Sequence, residues 1–268
     1  MSKTVVITGA AGSIGRKLRA HMAGLGWTLH LFDIAPDAGV VTADLLEAEA
    51  AWTRDIAGAD AVIHLAAHPW PPGSWTESRM NMDMTANVLR AAREQGVPRV
   101  ILASSHWIMV GYRFAGVRIT PDMEPAPLNP YGVSKLAGER MGRDAAAQGL
   151  SVIALRIGWN QPTPGNLPGP HMIMGTYGQQ LWLSDRDLCH GFERAVLAEG
   201  VGFAVLNLMS DNPGMMWDLE PTRRVIGYAP QDGWTAVVDD EKRRQEEMAR
   251  RSRELAAALE LNVMQSGW

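Results

Sequence analysis

Several kinds of residue and segment are scarce in this chain, and each scarcity excludes a class of protein. Cys189 is the only cysteine among the 268 residues, which excludes an internal disulfide and a zinc site built on cysteines, so we expect it to pack in the core. No apolar run is long enough for a membrane-spanning helix. Because the net charge is −4, we expect no basic surface for nucleic acid.

The first residues also lack the charged leader and long apolar stretch of an export signal, so we expect a cytoplasmic protein. What the chain does have is the composition of a globular protein, with 46% hydrophobic and 20% charged residues. A chain of 268 residues can bury the core of one large α/β domain, or of a nucleotide-binding domain with a small lobe.

Short apolar runs alternate with Ala-rich segments that have helical spacing. The runs lie at 4–7, 28–32, 61–66, 99–103, 151–157 and 203–208, and the helical segments at 16–25, 45–57, 82–95 and 133–148. This alternation predicts a Rossmann-like, doubly wound parallel sheet. Ligands of such sheets bind beyond the carboxyl ends of the strands, where loops 8–15, 66–78, 104–130 and 158–182 would converge.

Composition also suggests three parts of the chain. Residues 1–157 would form the cofactor-binding core with the catalytic residues, and 158–238 a small substrate lobe interleaved with the final core elements. Between Gly158 and Met174 the chain is rich in Pro, Gly, Asn and Met, which favours a long loop over a ligand. Residues 239–268 predict a helical tail that docks on its own domain or on a second subunit.

Three glycines follow the first predicted strand at the spacing of a dinucleotide-binding turn. Gly9 would allow the tight turn, Gly12 the close approach of backbone N–H groups to a pyrophosphate, and Gly15 the close packing of the next helix. The helix N-terminus would then hold the phosphates. A glycine triplet alone could be an ordinary loop, so the assignment depends on the residues at the later strand ends.

An acidic residue ends the second strand, where a carboxylate meets the ribose hydroxyls of a bound dinucleotide. This residue is Asp33, and no arginine or lysine occurs after it before Arg54, which favours NAD over NADP because nothing would receive a 2′-phosphate. Asp44 could lie beside the adenine or could cap a helix.

Tyr131 and Lys135 are four residues apart at the start of a predicted helix, so they would share one face. A lysine cation there is expected to lower the tyrosine pKa and to let the phenol exchange a proton with a substrate hydroxyl. Such a pair is also common on helix surfaces. Ser104 and Ser105 close the preceding strand, and a serine there could bind the same substrate oxygen.

With these residues in order, the chain resembles the short-chain dehydrogenase/reductase superfamily in its extended, epimerase-like branch. The residues that carry the resemblance are the Gly9–Gly12–Gly15 turn, Asp33, His64-Leu65-Ala66-Ala67, Asn81, Ser104-Ser105, Tyr131, Lys135 and Arg156-Ile157-Gly158. Within that branch the chain is most similar to uronate dehydrogenases, as Gly111-Tyr112 and the segment 182–187 also indicate.

Two departures from those enzymes fall in the predicted substrate pocket. His106-Trp107 stands where they carry Asn-His, and 157–185 contains no arginine or lysine where they hold the substrate carboxylate. Burying a carboxylate without compensation is costly, so we expect a small, neutral substrate. A basic residue from elsewhere (Arg113, Arg118 or Arg186) could instead supply the charge.

The resemblance implies a role for each matching residue. Ser105 would be the catalytic serine rather than Ser104, Tyr131 the base in oxidation, and Lys135 the ligand of the nicotinamide ribose that tunes Tyr131. The residues implied to line NAD are Gly9, Gly12, Ser13, Ile14, Gly15, Asp33, Asp44, Leu65, Ala66, Asn81, Lys135 and Ile157. Asn81 could instead serve as a structural helix cap.

Aromatic residues and histidines cluster on the predicted ligand loops, where each could bind substrate or pack in the core. The substrate-binding candidates are Trp70, Ser105, His106, Trp107, Trp159, His171 and Trp182. His64 and His68 lack a third ligand and helical spacing, so we expect no metal site.

These expectations combine into an NAD-dependent oxidoreductase that moves hydride between nicotinamide and a secondary alcohol, lactol or carbonyl. The alternatives are an epimerase or dehydratase that retains NAD, a uronate dehydrogenase with a relocated carboxylate ligand, and a cofactor-binding regulator without turnover. We expect a homodimer in which 82–95 and 133–148 take part, as in extended-branch relatives.

Overall fold

A computed structural model shows that the chain folds around one parallel sheet. The structure describes residues 2–162 and 165–265, with side chains as far as 257. The strands are β1 (Thr4–Thr8), β2 (Thr28–Asp33), β3 (Val41–Thr42), β4 (Ala61–His64), β5 (Arg99–Ser105), β6 (Ser151–Ile157) and β7 (Phe203–Leu208). The helices are α1 (Ser13–Gly24), α2 (Trp52–Asp55), α3 (Trp75–Glu94), α4 (Pro130–Ala147), α5 (Gly175–Gln180), α6 (Asp185–Leu197), α7 (Glu220–Ile226) and α8 (Asp240–Gln265), and a 3₁₀ helix spans His106–Tyr112.

All pairs of neighbouring strands are parallel, in the order β3-β2-β1-β4-β5-β6-β7. The order reverses between β1 and β4, which is the place where doubly wound sheets bind their ligands. The Rossmann-like fold class predicted from the sequence is therefore confirmed.

Buried side chains alternate between the two faces of the sheet along β1, which shows why helices cover both faces. Val5 and Ile7 are buried in the cluster that contains side chains of α1 and α6, whereas Val6 is buried in the cluster that contains side chains of α3 and α4. Because successive side chains of a strand point to opposite faces, an apolar strand requires a cover on each side. Cys189 of α6 lies in the first cluster, as predicted.

Two helix predictions need correction. The segment 45–57 is helical only over α2, and the rest is a series of turns. The third helix begins at Trp75 rather than near Asn81, because Ser74 and Glu77 form a capping box in which each side chain bonds the other residue's backbone N–H. Asn81 thus lies in the second turn and does not open the helix.

The predicted tail is a long helix, α8, which lies against the region after β5 and α5. The Glu246 carboxylate accepts the backbone N–H of Thr176 at 2.9 Å, and Arg253 donates to the Gly111 carbonyl. The long loop predicted between 158 and 174 has no helix or strand in its described residues. Of the helices in the described ranges, none combines the length and the apolar content needed to cross a membrane.

Candidate active site

The glycine turn between β1 and α1 brings backbone segments into contact. A Cβ on Gly9 would lie 2.7 Å from the Ala66 nitrogen, and a Cβ on Gly15 would lie 2.3 Å from the Gly9 carbonyl oxygen. Gly9 also has a φ of 72°, a conformation that L side chains rarely adopt. Gly12 caps α1 without a side-chain hydrogen bond, so the first N–H groups of the helix can receive a phosphate. The turn fits a dinucleotide.

Asp33 lies at the end of β2 beside this turn. Its carboxylate accepts the backbone N–H groups of Ala11 at 2.8 Å and of Ala35 at 2.9 Å, which fixes the carboxylate at the edge of the turn. Asp44 accepts the N–H of Leu46 at 2.9 Å in a local turn. Since no helix begins at Asp44, its interpretation as a helix cap is wrong, and its place beside the adenine stays a prediction.

The remaining residues implied to line the cofactor lie around the same turn. Ser13 donates to the Pro162 carbonyl at 3.3 Å, and Leu65 donates its N–H to the Thr8 carbonyl at 3.1 Å. Ile14 and Ala66 are partly buried, and Ile157 is buried at the end of β6. Their contacts with NAD remain predictions.

His64 belongs to a polar chain inside the core. Its ring nitrogens lie 2.8 Å from the Thr8 hydroxyl and 3.2 Å from the Thr85 hydroxyl, so the ring links β1 to α3. Burial, with the nearby charge of Lys135, lowers the pKa of His64 to about 3 and keeps the ring neutral. These contacts give His64 a structural role inside the core.

Asn81 connects the loop after β4 with the helix that carries Tyr131. Its side-chain oxygen accepts the His68 N–H at 2.7 Å, and its nitrogen donates to the His68 carbonyl at 3.2 Å and to the Ser134 hydroxyl at 3.4 Å. Asn81 is buried, so its amide holds the loop after β4 against the start of α4.

Ser105 and Tyr131 come together at the carboxyl end of β5, where the Ser105 hydroxyl approaches the phenol closely enough to affect its pKa. Ser105 also caps the 3₁₀ helix by accepting the N–H of Trp107 at 3.2 Å. A Cβ on Gly132 would lie 2.7 Å from the Trp107 carbonyl, so only glycine lets the start of α4 approach the end of β5 this closely. Asn129 caps α4 by accepting the Gly132 N–H at 2.7 Å.

Lys135 lies one turn after Tyr131, and its Nζ is 5.6 Å from the centre of the tyrosine ring. The expected lowering of the tyrosine pKa is not found in this arrangement. Burial raises the pKa of Tyr131 to about 12, against a smaller opposite effect of the Ser105 hydrogen bond. Burial also lowers the pKa of Lys135 to about 8. The phenol therefore holds its proton in the structure described.

Ser104 has a different environment from Ser105. Its hydroxyl donates to Glu139 at 2.6 Å, and Glu139 accepts two hydrogen bonds of 2.9 Å from the guanidinium of Arg156. All three residues are buried. The hydroxyl of Ser104 is thus committed to an internal ion pair, which supports Ser105 as the serine that meets substrate.

The structure separates the other predicted substrate residues by exposure. Trp70 and His171 are exposed, and His171 lies 3.0 Å from the Gln161 side chain. Trp182 is buried and donates its indole N–H to the Asn166 carbonyl at 2.9 Å. Trp159 and Trp107 are partly buried, and Trp159 pairs its backbone with the segment at Leu181–Leu183. Their contact with substrate stays a prediction.

Beside Ser105, His106 begins a row of aromatic rings that the sequence patterns do not reveal. Its ring centre is 6.5 Å from that of Trp217, which is 6.2 Å from that of Tyr177. Tyr177 follows the predicted loop and Trp217 lies far along the chain, so no local spacing could have joined them. Burial lowers the pKa of His106 to about 3 and keeps the ring neutral.

Of the three arginines considered as carboxylate ligands, two are engaged at the surface. Arg118 bonds Asp218 at 2.5 Å and Arg186 pairs with Asp232, and both side chains are mostly exposed. Arg113 is partly buried and donates to the Met174 carbonyl at 2.9 Å.

Comparison with known proteins agrees with this geometry. The sequence pattern of the NAD dependent epimerase/dehydratase family matches residues 5–164. The chain is 32% identical over 258 residues to an NAD-dependent glucose-6-phosphate dehydrogenase of Haloferax volcanii, covering 87% of this chain and 94% of the relative. It is also 32% identical to an L-arabinose 1-dehydrogenase (NAD(P)(+)) of the same organism, covering 88% of this chain and 99% of the relative.

A solved structure is similar over most of its length. A mutant form of uronate dehydrogenase from Agrobacterium tumefaciens, complexed with NAD, superposes with a TM-score of 0.74 at 28% identity, covering 87% of this chain and 86% of that one. The likeness in fold therefore extends well beyond the glycine turn.

Proposed function

Since the chain belongs to the NAD-dependent epimerase/dehydratase family and is an NAD-dependent oxidoreductase, we propose that it oxidises the lactol carbon of a small, neutral sugar. The observation that carries the proposal is the approach of the Ser105 hydroxyl to the Tyr131 phenol, with the Lys135 ammonium 5.6 Å from the centre of the tyrosine ring. A hydroxyl pair beside a cation supports proton transfer from a sugar hydroxyl at this end of the sheet.

In the proposed reaction Ser105 holds the sugar oxygen and Tyr131 takes its proton. The C–H bond of the same carbon breaks, and its electron pair leaves as hydride, so the lactol becomes a lactone. Bound NAD would accept that hydride at nicotinamide, and its positive ring would favour the phenolate. Lys135 keeps the phenol oriented and, when protonated, stabilises its anion.

The residues at the glycine turn fit the cofactor. Gly9, Gly12 and Gly15 leave room for a backbone cradle, and Asp33 is placed to accept ribose hydroxyls. We include Lys135 as a ribose ligand because its ammonium lies on the same face of α4 as Tyr131.

A neutral substrate is favoured by the groups near His106. Burial keeps the ring of His106 neutral, and 157–185 contains no arginine or lysine. Removing a carboxylate from water beside neutral groups costs several kcal/mol, about what a charged partner would have to supply.

Uronate oxidation is the second candidate function, and two observations favour it. The structural relative in complex with NAD is a uronate dehydrogenase, and Arg113 is partly buried near the proposed pocket. In this alternative Arg113 would pair with the substrate carboxylate.

An assay of NADH formation separates the candidates. Purified protein with NAD would be given neutral aldoses, the uronic acids galacturonate and glucuronate, and sugar phosphates. We expect stoichiometric NADH with at least one neutral aldose and the lactone as product. Efficient oxidation of a uronic acid, with a kcat/KM of about 10⁴ M⁻¹s⁻¹ or above, would overturn the neutral substrate. Epimer formation without net NADH would favour an epimerase.

We also propose a homodimer in which the outer faces of α3 and α4 pack on those of a second copy. The two helices already pack side by side on one face of the sheet. Sedimentation velocity would detect the dimer, and a monomer at micromolar concentration would contradict it.

A further inference from the structure

We propose that His106, Tyr177 and Trp217 form a subsite that binds the non-reacting hydroxyl groups of a neutral sugar. The inference rests on the proposed function and names the residues that select its substrate. It is carried by three buried polar atoms that lie in one row of rings and lack hydrogen-bond partners.

The three atoms are His106 Nδ1, Tyr177 Oη and Trp217 Nε1, and none has a partner among the described residues. Their residues are 6%, 3% and 3% exposed. From centre to centre, the ring of Trp217 lies 6.5 Å from that of His106 and 6.2 Å from that of Tyr177, so the three rings form one continuous row. The row starts at the residue next to Ser105, which places it beside the reacting oxygen.

Other buried aromatic residues show that this chain ordinarily satisfies such atoms. Tyr228 donates its hydroxyl to the Met209 carbonyl at 2.9 Å, and Trp52 donates its indole N–H to the Glu47 carbonyl at 3.1 Å. Leaving one buried donor or acceptor unpaired destabilises the folded state, and three such atoms in one row add to that cost. A ligand that meets all three accounts for their grouping.

The chemistry of the atoms defines that ligand. The indole N–H of Trp217 can only donate, the hydroxyl of Tyr177 can donate or accept, and the ring nitrogen of His106 can do either according to its tautomer. Sugar hydroxyls both donate and accept, and the apolar face of a sugar ring can pack on aromatic rings. A polyol therefore satisfies the row.

Charge near the row argues against an acid. The imidazole of His106 stays neutral because burial lowers its pKa to about 3, and burial also raises the pKa of the Tyr177 phenol. The cation next to Tyr177 is Arg113, which bonds the Met174 carbonyl and faces the carboxylate of Glu246. Its Nε lacks a partner among the described residues, but its positive charge is opposed by Glu246 within the protein.

The test removes one polar atom from each side chain. Tyr177→Phe keeps the ring, whereas Trp217→Phe also makes it smaller, which is why Trp52→Phe is needed as its control. Tyr177→Phe and Trp217→Phe would be compared with Tyr228→Phe and Trp52→Phe, whose polar atoms have protein partners. Each variant would be assayed for kcat/KM with the preferred aldose and with its monodeoxy analogues. NAD affinity and melting temperature would be measured on the same preparations.

We expect Tyr177→Phe and Trp217→Phe to lower kcat/KM for the full sugar about three- to tenfold, the effect of one lost neutral hydrogen bond. One deoxy analogue should lose the same factor with the wild type and nothing further with the variant. NAD affinity should be unchanged. Tyr177→Phe should not lower the melting temperature, whereas Tyr228→Phe should.

Each contrary outcome has a distinct meaning. Oxidation of an aldose that is insensitive to both variants overturns the subsite and leaves the proposed function standing. Preference for a uronic acid that is lost in Arg113→Met overturns the neutral ligand. If no sugar yields NADH, the proposed function fails, and calorimetry of sugar binding to the NAD-loaded protein then decides the subsite, since loss of binding in both variants supports it and unchanged binding overturns it.

Discussion

The two serines that end β5 lie in buried environments of opposite character. Ser104 faces an ion pair in which Glu139 and Arg156 satisfy one another, whereas Ser105 faces Tyr131 and adjoins a row of rings with unpaired polar atoms. Both environments are built from polar groups removed from water. In the first environment the polar groups satisfy one another inside the fold, whereas in the second they lack partners, and it is this second environment that we assign to a ligand.

The largest expected effect comes from a substitution in the environment of Ser105. Tyr131→Phe keeps the ring but removes the proton carrier, so turnover should fall by roughly two to four orders of magnitude while NAD still binds. Steady-state kinetics and calorimetry with NAD would measure both. Near-normal turnover would show that another group carries the proton.

The next largest effect comes from a substitution in the environment of Ser104. Glu139→Leu leaves the guanidinium of Arg156 buried without its partner, which should destabilise the protein by about 3–5 kcal/mol. Urea unfolding would measure the loss. The double variant with Arg156→Leu should recover much of it, because it removes the uncompensated charge. A single variant as stable as the wild type would contradict the importance of the pair.

The third prediction concerns how the stability of the protein depends on pH through Lys135, which lies beside Tyr131. The pKa of Lys135 is lowered from 10.5 to about 8 on folding, so above pH 8 the unfolded chain binds a proton that the folded chain has released. Stability of the unliganded protein should therefore rise with pH from about 8 to 10, by up to about 1.4 kcal/mol per pH unit from this group. Above pH 10 the raised pKa of Tyr131 acts in the opposite direction.

Chemical unfolding at several pH values would check the Lys135 contribution. Lys135→Met should flatten the rise relative to the wild type, because the variant has no ammonium to titrate. A variant with the same slope as the wild type would assign the pH dependence to other groups.

The smallest effect concerns cofactor choice at Asp33, which lies outside both serine environments. With no basic residue near it in sequence to receive a 2′-phosphate, NAD should bind at least about tenfold tighter than NADP, or about 1.4 kcal/mol. Asp33→Asn should reduce that ratio, and Asp60→Asn, at the opposite end of the sheet, is the matched control. Calorimetry that shows equal affinities in the wild type would contradict the role of Asp33.

The same contrast explains how much could be predicted from the sequence. The glycine turn, Asp33, Ser105, Tyr131 and Lys135 follow strands or helices at fixed spacing, so local patterns find them. Tyr177 and Trp217 reach His106 only through tertiary packing, and no spacing encodes that contact. Burial likewise overturned the expected lowering of the Tyr131 pKa, since a sequence shows the nearby lysine but not how much water is excluded.

Asn81 has a mechanical consequence for the way in which the two halves of the site are held together. Its amide bonds the main chain of His68 on one side and the hydroxyl of Ser134 on the other. One buried side chain therefore fixes the spacing between the loop after β4, whose Ala66 nitrogen would lie 2.7 Å from a Cβ on Gly9, and the helix that carries Tyr131. The glycine turn and the phenol are thus braced through a single amide, so a change at Asn81 would disturb both halves of the site at once.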